Sequence, residues 1–481
     1  MAPWPSSANE PLYSGLACPQ TVGASDRQAR ANLAGNDPAT HSSRKGLITV
    51  LWRYCSPARG IRGSPGYPDD DYPGGTLHQR SVVRVGASLI VAALALSACG
   101  SRNDSTTGAA SGDKIAVIGV MAPLSGDLSA LGLGIQHSVE LAVKQANANK
   151  TIPGWTLKVE AKDDEAKPDV GKNAATAFAG EKNVAGVVGD LNSSVSQSTQ
   201  PVLATAKIVQ VSPANTNPTL TQGADFKTAP KRTYDTYFRT CTTDSIQGPF
   251  AARYLFQKAG ITKVATIHDK KTYGQGLVEA FTAEFTKLGG TVVAAETINP
   301  DDSNYSAVIS KVKPKGPKAI YYGGEYPNAG PLSQQMKAAG LNVPLMGGDG
   351  IFDPKYIALA GATATGDLAT NVGAPTDQSD AGKKFLADYA AAGYKDPAAA
   401  YGGYSFDAAN SIINALKVSL KDAKDVASAR QATIDALGKV SFDGVTGPVA
   451  FDQYGDSTSR VLTVYKIVNG AWAPVNTEAF K

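Results

Sequence analysis

The sequence predicts an α/β protein of two lobes, each a parallel sheet covered by helices on both faces. Three observations carry that expectation. From Asp113 onward, short β-branched runs alternate with helical stretches over brief connections, the pattern of strands joined by crossover helices. Some 380 residues of this kind, after a dissimilar head, exceed one ordinary domain. Several strand ends open onto loops rich in hydroxyls or acids, where folds of this class hold ligands.

The elements follow in order. KIAVIGVM is a compact β-branched strand, and after APLSGDLSALG comes a helix whose Ile135, Val139, Ala142, Val143 and Ala146 share one face. TLKVEAKD, VAGVVGD and IVQVS read as strands, separated by a helix after Pro168 and by the helix SSVSQSTQPVLATA. The series repeats with TTDSIQGPFAARYLFQKAG as helix, KVATIHD as strand, GLVEAFTAEFTKLG as helix and TVVAAET as strand. A helix around SAVISKVK, the strand KAIYYGG and a helix from Pro327 to Ala339 continue it.

The head is different. Residues 1–79 scatter Pro, Gly, Arg and Ser without strand or helix period. Within residues 80–98, Arg80 and Arg84 flank a mostly apolar run from Val85 to Leu96, followed by Ser97 and Ala98. That is the layout of a secretory signal, too short for a bilayer span of about 20 residues. Cys99 after Leu-Ser-Ala is similar to the lipidation site of bacterial lipoproteins, and the Ser/Thr/Gly-rich residues 99–112 read as a tether. The expectation is that the chain is cut before Cys99, that translation starts near Val82 or Val83, and that residues 1–79 are an annotation artefact or a disordered extension.

Composition narrows the function. Setting aside residues 1–99, Lys and Arg number 37 against 36 Asp and Glu, which gives no reason to expect nucleic acid. Cys241 then stands alone, and His137 and His268 are far apart, so neither a disulfide framework nor a metal signature is present. The sequence has no GxSxG elbow, P-loop or HExxH, and no nucleophile beside a base. No catalytic residue, metal or cofactor is therefore expected.

Four strand-end loops could hold a ligand. In GDLNSSVSQ, Ser193 and Ser194 open a helix, bringing hydroxyls and free backbone N–H groups together as a receptor for a carboxylate or phosphate. VSPANTNPTLT repeats the arrangement with Thr216. HDKKTYGQG and GGDG add Tyr273 and Asp349. For either hydroxyl loop alone, ordinary helix caps and turn residues are the better explanation, and their recurrence in successive βα units shifts the balance modestly toward a ligand site.

The order and spacing of APLSGDLSALG, DDEAKPD, GDLNSS, VSPANTNPTLT, RTCTTDSIQGP, IHDKKTYGQGL, YYGGEYPNAG and GLNVPLMGGDG resemble the leucine/isoleucine/valine-binding proteins of bacterial ABC importers. The resemblance runs from about Ile115 to Leu416 and implies the type 1 periplasmic-binding fold: two Rossmann-like lobes with a three-segment hinge. It implies lobe I at 113–239 and 372–447, and lobe II at 240–371 and 448–481, with hinges near Arg239, Asn371 and Gly447. It further implies that Ser194 and Thr216, beside Ser193, bind the α-carboxylate of an amino acid. Tyr273 would touch the ligand on closure, and Asp349 would pair with its α-ammonium, helped by a carbonyl of the turn around Ala214 and Asn215. The implied partners are an ABC permease with its ATPase, and a membrane reached through the lipid on Cys99. The protein would be a monomer anchored on the outer face of a bacterial cell membrane.

Departures from the family pattern bear on the ligand. Leu131 stands where an aromatic usually covers the side-chain pocket, Glu325 where a tyrosine is usual, and Asp349 where Glu is usual. Glu165 and Asn192 stand near the places of a missing cysteine pair. If Glu325 faces the ligand, the ligand carries a polar or cationic group; if it faces solvent, branched-chain amino acids remain the expectation. A ligand sensor of the same fold, or a binder of amides or other small polar solutes, is the alternative.

Overall fold

The computed structural model describes residues 114–481. The extension, the signal segment, Cys99 and its tether lie outside the described residues. The first sheet is formed by β1 (Lys114–Ala122), β2 (Trp155–Asp163), β3 (Val184–Gly189), β4 (Val209–Ser212) and β5 (Tyr237–Arg239). They lie side by side in the order β2-β1-β3-β4-β5, all parallel. Their connections are α1 (Ser129–Ala148), α2 (Pro168–Gly180), α3 (Ser193–Thr205) and the short α4 (Thr219–Gln222). The α1 face expected from the apolar spacing is buried at Ile135, Val139, Ala142, Val143 and Ala146.

The second sheet begins after α5 (Asp244–Arg253). It contains β6 (Lys263–His268), β7 (Thr291–Thr297), β8 (Ala319–Gly323), β9 (Leu345–Gly347) and β10 (Leu368–Val372), with α6 (Thr272–Lys287), α7 (Ser306–Val312), α8 (Tyr326–Ala338) and α9 (Pro354–Ala360) between them. These strands run β10-β9-β8-β6-β7, all parallel. The chain then returns to the first lobe with α10 (Asp380–Ala391), α11 (Gly402–Ser419) and α12 (Val426–Leu437). Helix α11 packs on α1, β3 and β4, and α12 packs on β3.

Two features differ from the expectation. The second sheet is mixed, because β13 (Val461–Val468) runs antiparallel to β10 and β14 (Ala471–Ala479) antiparallel to β13. Their turn is Asn469-Gly470, with φ of +52° and +76°, the backbone that two-residue hairpins require. Second, Gly447 marks no crossing between lobes. It opens β12 (Gly447–Ala450), which pairs with β11 (Ser441–Gly444). The Asp407 carboxylate on α11 accepts the N–H groups of Val445 and Thr446 at 2.9 Å each, holding this hairpin to the first lobe. Among the described residues the chain passes between sheets at 240–243, 373–379 and 451–460.

In both sheets the strand order reverses once, between β1 and β3 in lobe I and between β6 and β8 in lobe II. Crevices at the carboxyl ends of such switch points are where open α/β sheets bind ligands.

Candidate functional site

On the lobe I side, β3 ends at Gly189 and α3 begins at Ser193. Ser193 is 1% exposed and its hydroxyl makes no hydrogen bond, whereas Ser194 is only half-buried. The following loop, after β4, is tied to the first. Ser212 Oγ donates to the Asp190 carbonyl at 2.9 Å and accepts the N–H groups of Ala214 and Asn215. Ala214 is buried, and the Asn215 side chain turns into the lobe, accepting from Ser196 and Tyr237 and donating to the Leu191 carbonyl. The Asn215 carbonyl accepts from Arg239 Nη1 at 2.6 Å and from Cys241 Sγ at 3.1 Å. Thr216 is fully buried with an unbonded Oγ1, and its carbonyl accepts the Asp244 N–H at 2.7 Å.

Arg239 fixes this loop. It is fully buried, 2.7 Å from Asp456 Oδ1, and its Nη2 donates to the Asn217 carbonyl and to Thr221 Oγ1. Beneath the loops, Asp190 accepts from Ser196, Thr199 and Gln210. Burial pushes its carboxyl up to about 6, those bonds opposing, and burial with the Asp190 charge pushes Asp164 up to about 8.

Lobe II supplies carboxylates. Tyr273, in the first turn of α6, donates from its hydroxyl to Asp349 Oδ1 at 2.9 Å and accepts the Gly350 N–H. Tyr401, from the lobe I segment before α11, donates to Asp349 Oδ2 at 2.9 Å. Burial raises the Asp349 carboxyl, and Tyr401, Gln247 and Tyr273 pull it down. Asp244, at the start of α5, is 1% exposed with neither carboxylate oxygen bonded. Burial pushes it up to about 8; the Thr216 hydroxyl beside it opposes this and the Asp349 charge adds to it.

Glu325 faces neither open solvent nor a bare cleft. It follows β8, is 4% exposed, and its Oε1 accepts from Asn192 Nδ2 at 2.8 Å across the lobes. Its Oε2 is 3.1 Å from Lys271 Nζ. Of the two positions near the missing cysteine pair, Asn192 therefore makes an interlobe bond, while Glu165 is exposed and pairs with Lys167. Leu131 is 1% exposed in the core cluster that includes Tyr326 and Tyr401. The lobes also touch through Asn217 Nδ2 on the Thr272 carbonyl at 2.9 Å and Thr272 Oγ1 on Gln197 at 3.0 Å. Gly276 makes the approach possible, since a Cβ there would lie 2.4 Å from Asn217 Nδ2.

A profile of the periplasmic binding proteins matches residues 116–471. The chain belongs to that family. It is 33% identical over 351 residues to Leu/Ile/Val-binding protein homolog 2 of Brucella abortus (strain 2308), covering 73% of this chain and 90% of the relative. Among solved structures, a leucine-binding protein of Thermotoga maritima is 25% identical with a TM-score of 0.68, covering 76% of this chain and 99% of that one. A branched-chain amino acid transporter substrate-binding protein of Streptococcus pneumoniae, solved with isoleucine, is 27% identical with a TM-score of 0.67, over 76% and 99%.

The structure brings Tyr273 to Asp349, Thr216 to Asp244, and Asn192, beside Ser193, to Glu325; in these contacts Tyr401, Asp244, Gln247, Lys271 and Asn192 are residues the sequence reading did not assign to the site. Buried polar atoms are ordinarily bonded. Among the buried side-chain atoms without a hydrogen bond are Ser193 Oγ, Thr216 Oγ1 and the carboxylate oxygens of Asp244.

Proposed function

We propose that the protein captures a branched-chain α-amino acid between its lobes and hands it to an ABC permease. The observation that carries this reading is the buried, unbonded Ser193 hydroxyl on lobe I together with the buried Asp349 carboxylate of lobe II, which Tyr273 and Tyr401 hold from the two lobes. A zwitterion needs donors at one end and acceptors at the other, and desolvated charge-assisted bonds are the strong ones. The ligand carboxylate would take the hydroxyls and the N-terminus of α3. Its ammonium would take Asp349, positioned by Tyr273 and Tyr401.

The names of the relatives support the branched-chain class. Glu325 supports it too, because Lys271 and Asn192 satisfy its carboxylate without a polar ligand. In this reading the ligand bridges the lobes and favours the closed arrangement by its differential affinity. The lipid on Cys99 would hold the pair of lobes at the outer membrane face.

Calorimetry against the twenty amino acids, short amides and polyamines tests the reading. Leucine, isoleucine or valine should bind most tightly, and absence of heat with all three would overturn it. Small-angle scattering should show compaction on adding leucine to ligand-free protein. Cys99→Ala should release the protein from membranes in its native host.

A further inference from the structure

The wall of the cleft at Glu325 carries more charge than a plain apolar amino acid calls on. Lys271 and Glu325 stand at the residues just before α6 and α8, at the lobe II switch point. A helix N-terminus favours anions and disfavours a cation, so Lys271 is held there by carboxylates. Its Nζ lies 3.1 Å from Glu325 Oε2 and 4.0 Å from Asp269 Oδ2. Both acids are buried, and Asp269 Oδ2 has no hydrogen-bond partner. Glu325 is also bonded to Asn192, next to Ser193, so it borders the proposed ligand site. Outward, Lys271 and Glu325 line a groove of about 490 Å³ with Leu128, Asp301 and Asn328.

We propose that Lys271 is a built-in counter-ion, occupying the place on Glu325 that a cationic ligand side chain would take, and so sets the site's preference for neutral side chains. A buried carboxylate without a cation is costly. Without Lys271, Glu325 and Asp269 would face a space able to take an aminoalkyl chain. Conversely, neutralising Glu325 leaves the Lys271 ammonium facing the cleft, where a ligand carboxylate can meet it. This inference rests on the amino-acid reading above and names the residue pair that sets its side-chain class.

The test is calorimetry on the full chain and on Lys271→Met, Glu325→Gln and the double variant, with L-leucine, L-lysine, L-arginine and L-glutamate as probes and thermal melts to check folding. Wild type should bind leucine and none of the charged probes. Lys271→Met should gain at least tenfold in affinity for lysine or arginine, Glu325→Gln should gain for glutamate, and the double variant should gain less for lysine or arginine than Lys271→Met and lose the gain for glutamate. A folded variant of either kind without its gain overturns the proposal while wild-type leucine binding leaves the amino-acid reading standing. Silence of wild type toward all twenty amino acids overturns both.

Discussion

Lobe I orders its five parallel strands β2-β1-β3-β4-β5, and lobe II orders its own as β7-β6-β8-β9-β10. The switch point therefore recurs, but the two crevices hold different chemistry. Lobe I buries its acids Asp164 and Asp190 below the loops and offers neutral hydroxyls to the cleft. Lobe II brings Asp244, Asp349 and Glu325 to the cleft itself, each beside a group from lobe I: Thr216, Tyr401 and Asn192. One sheet topology thus positions loops, and the loop residues decide whether a lobe presents donors or acceptors. Closure joins the two sets.

The largest effect should come from Arg239, which holds the lobe I loop against Asp456 in the third crossing. Arg239→Met leaves a buried carboxylate unpaired, expected to cost about 3–5 kcal/mol and to lower the melting temperature by roughly five degrees. A loss under two degrees would break the claim that this ion pair maintains the donor face. Next is the acceptor face. Asp349→Asn keeps the shape and removes the charge, and should weaken amino-acid binding by about 30- to 1,000-fold, or about 2–4 kcal/mol. Calorimetry with leucine measures it, and an unchanged affinity would remove Asp349 from the site.

Much of this contrast was legible in the sequence, for a physical reason. Strands such as VAGVVG are fully buried and so nearly continuously apolar, and a hydroxyl or acid soon after such a run stands out. That is how Ser193, Thr216, Tyr273 and Asp349 could be picked as strand-end groups. Arg239 looked like any arginine, because burial of a charge depends on partners far along the chain, and its partner Asp456 lies in another crossing. Tyr401 reaches Asp349 from the other lobe, 52 positions away, a meeting that no local pattern encodes. Lys271 was visible beside Tyr273 in HDKKTYGQG, but its pairing needed the fold. Asn469-Gly470 was a hairpin signal present in the sequence, and it explains the antiparallel edge that a strand-helix alternation does not.

Smaller effects sharpen the donor side. Thr216→Val and Ser193→Ala should each weaken leucine binding about tenfold, near the 1.5 kcal/mol of a hydrogen bond to a charged group. Ser194→Ala should change it less than twofold, because Ser194 is only half-buried. The reverse ranking of the two serines would put the carboxylate elsewhere on the α3 N-terminus.

The smallest effect separates the acids of the two lobes by pH. A carboxyl raised by burial binds its proton more tightly in the folded chain than in the unfolded one. Its stabilising effect is full below the ordinary carboxylate range and is lost as pH rises toward the folded value. Asp164 is pushed up to about 8 and Asp190 to about 6 in lobe I, and Asp244 to about 8 in lobe II. Ligand-free protein should therefore melt a few degrees lower at pH 8 than at pH 5. Asp164→Asn should flatten part of that slope whether or not leucine is present, because the lobe I pair lies below the loops. Saturating leucine should flatten a different part, since its ammonium favours the charged forms of Asp349 and Asp244. If leucine instead erased the Asp164-dependent part, the lobe I acids would be coupled to the ligand, and the division between a neutral donor face and an acidic acceptor face would fail.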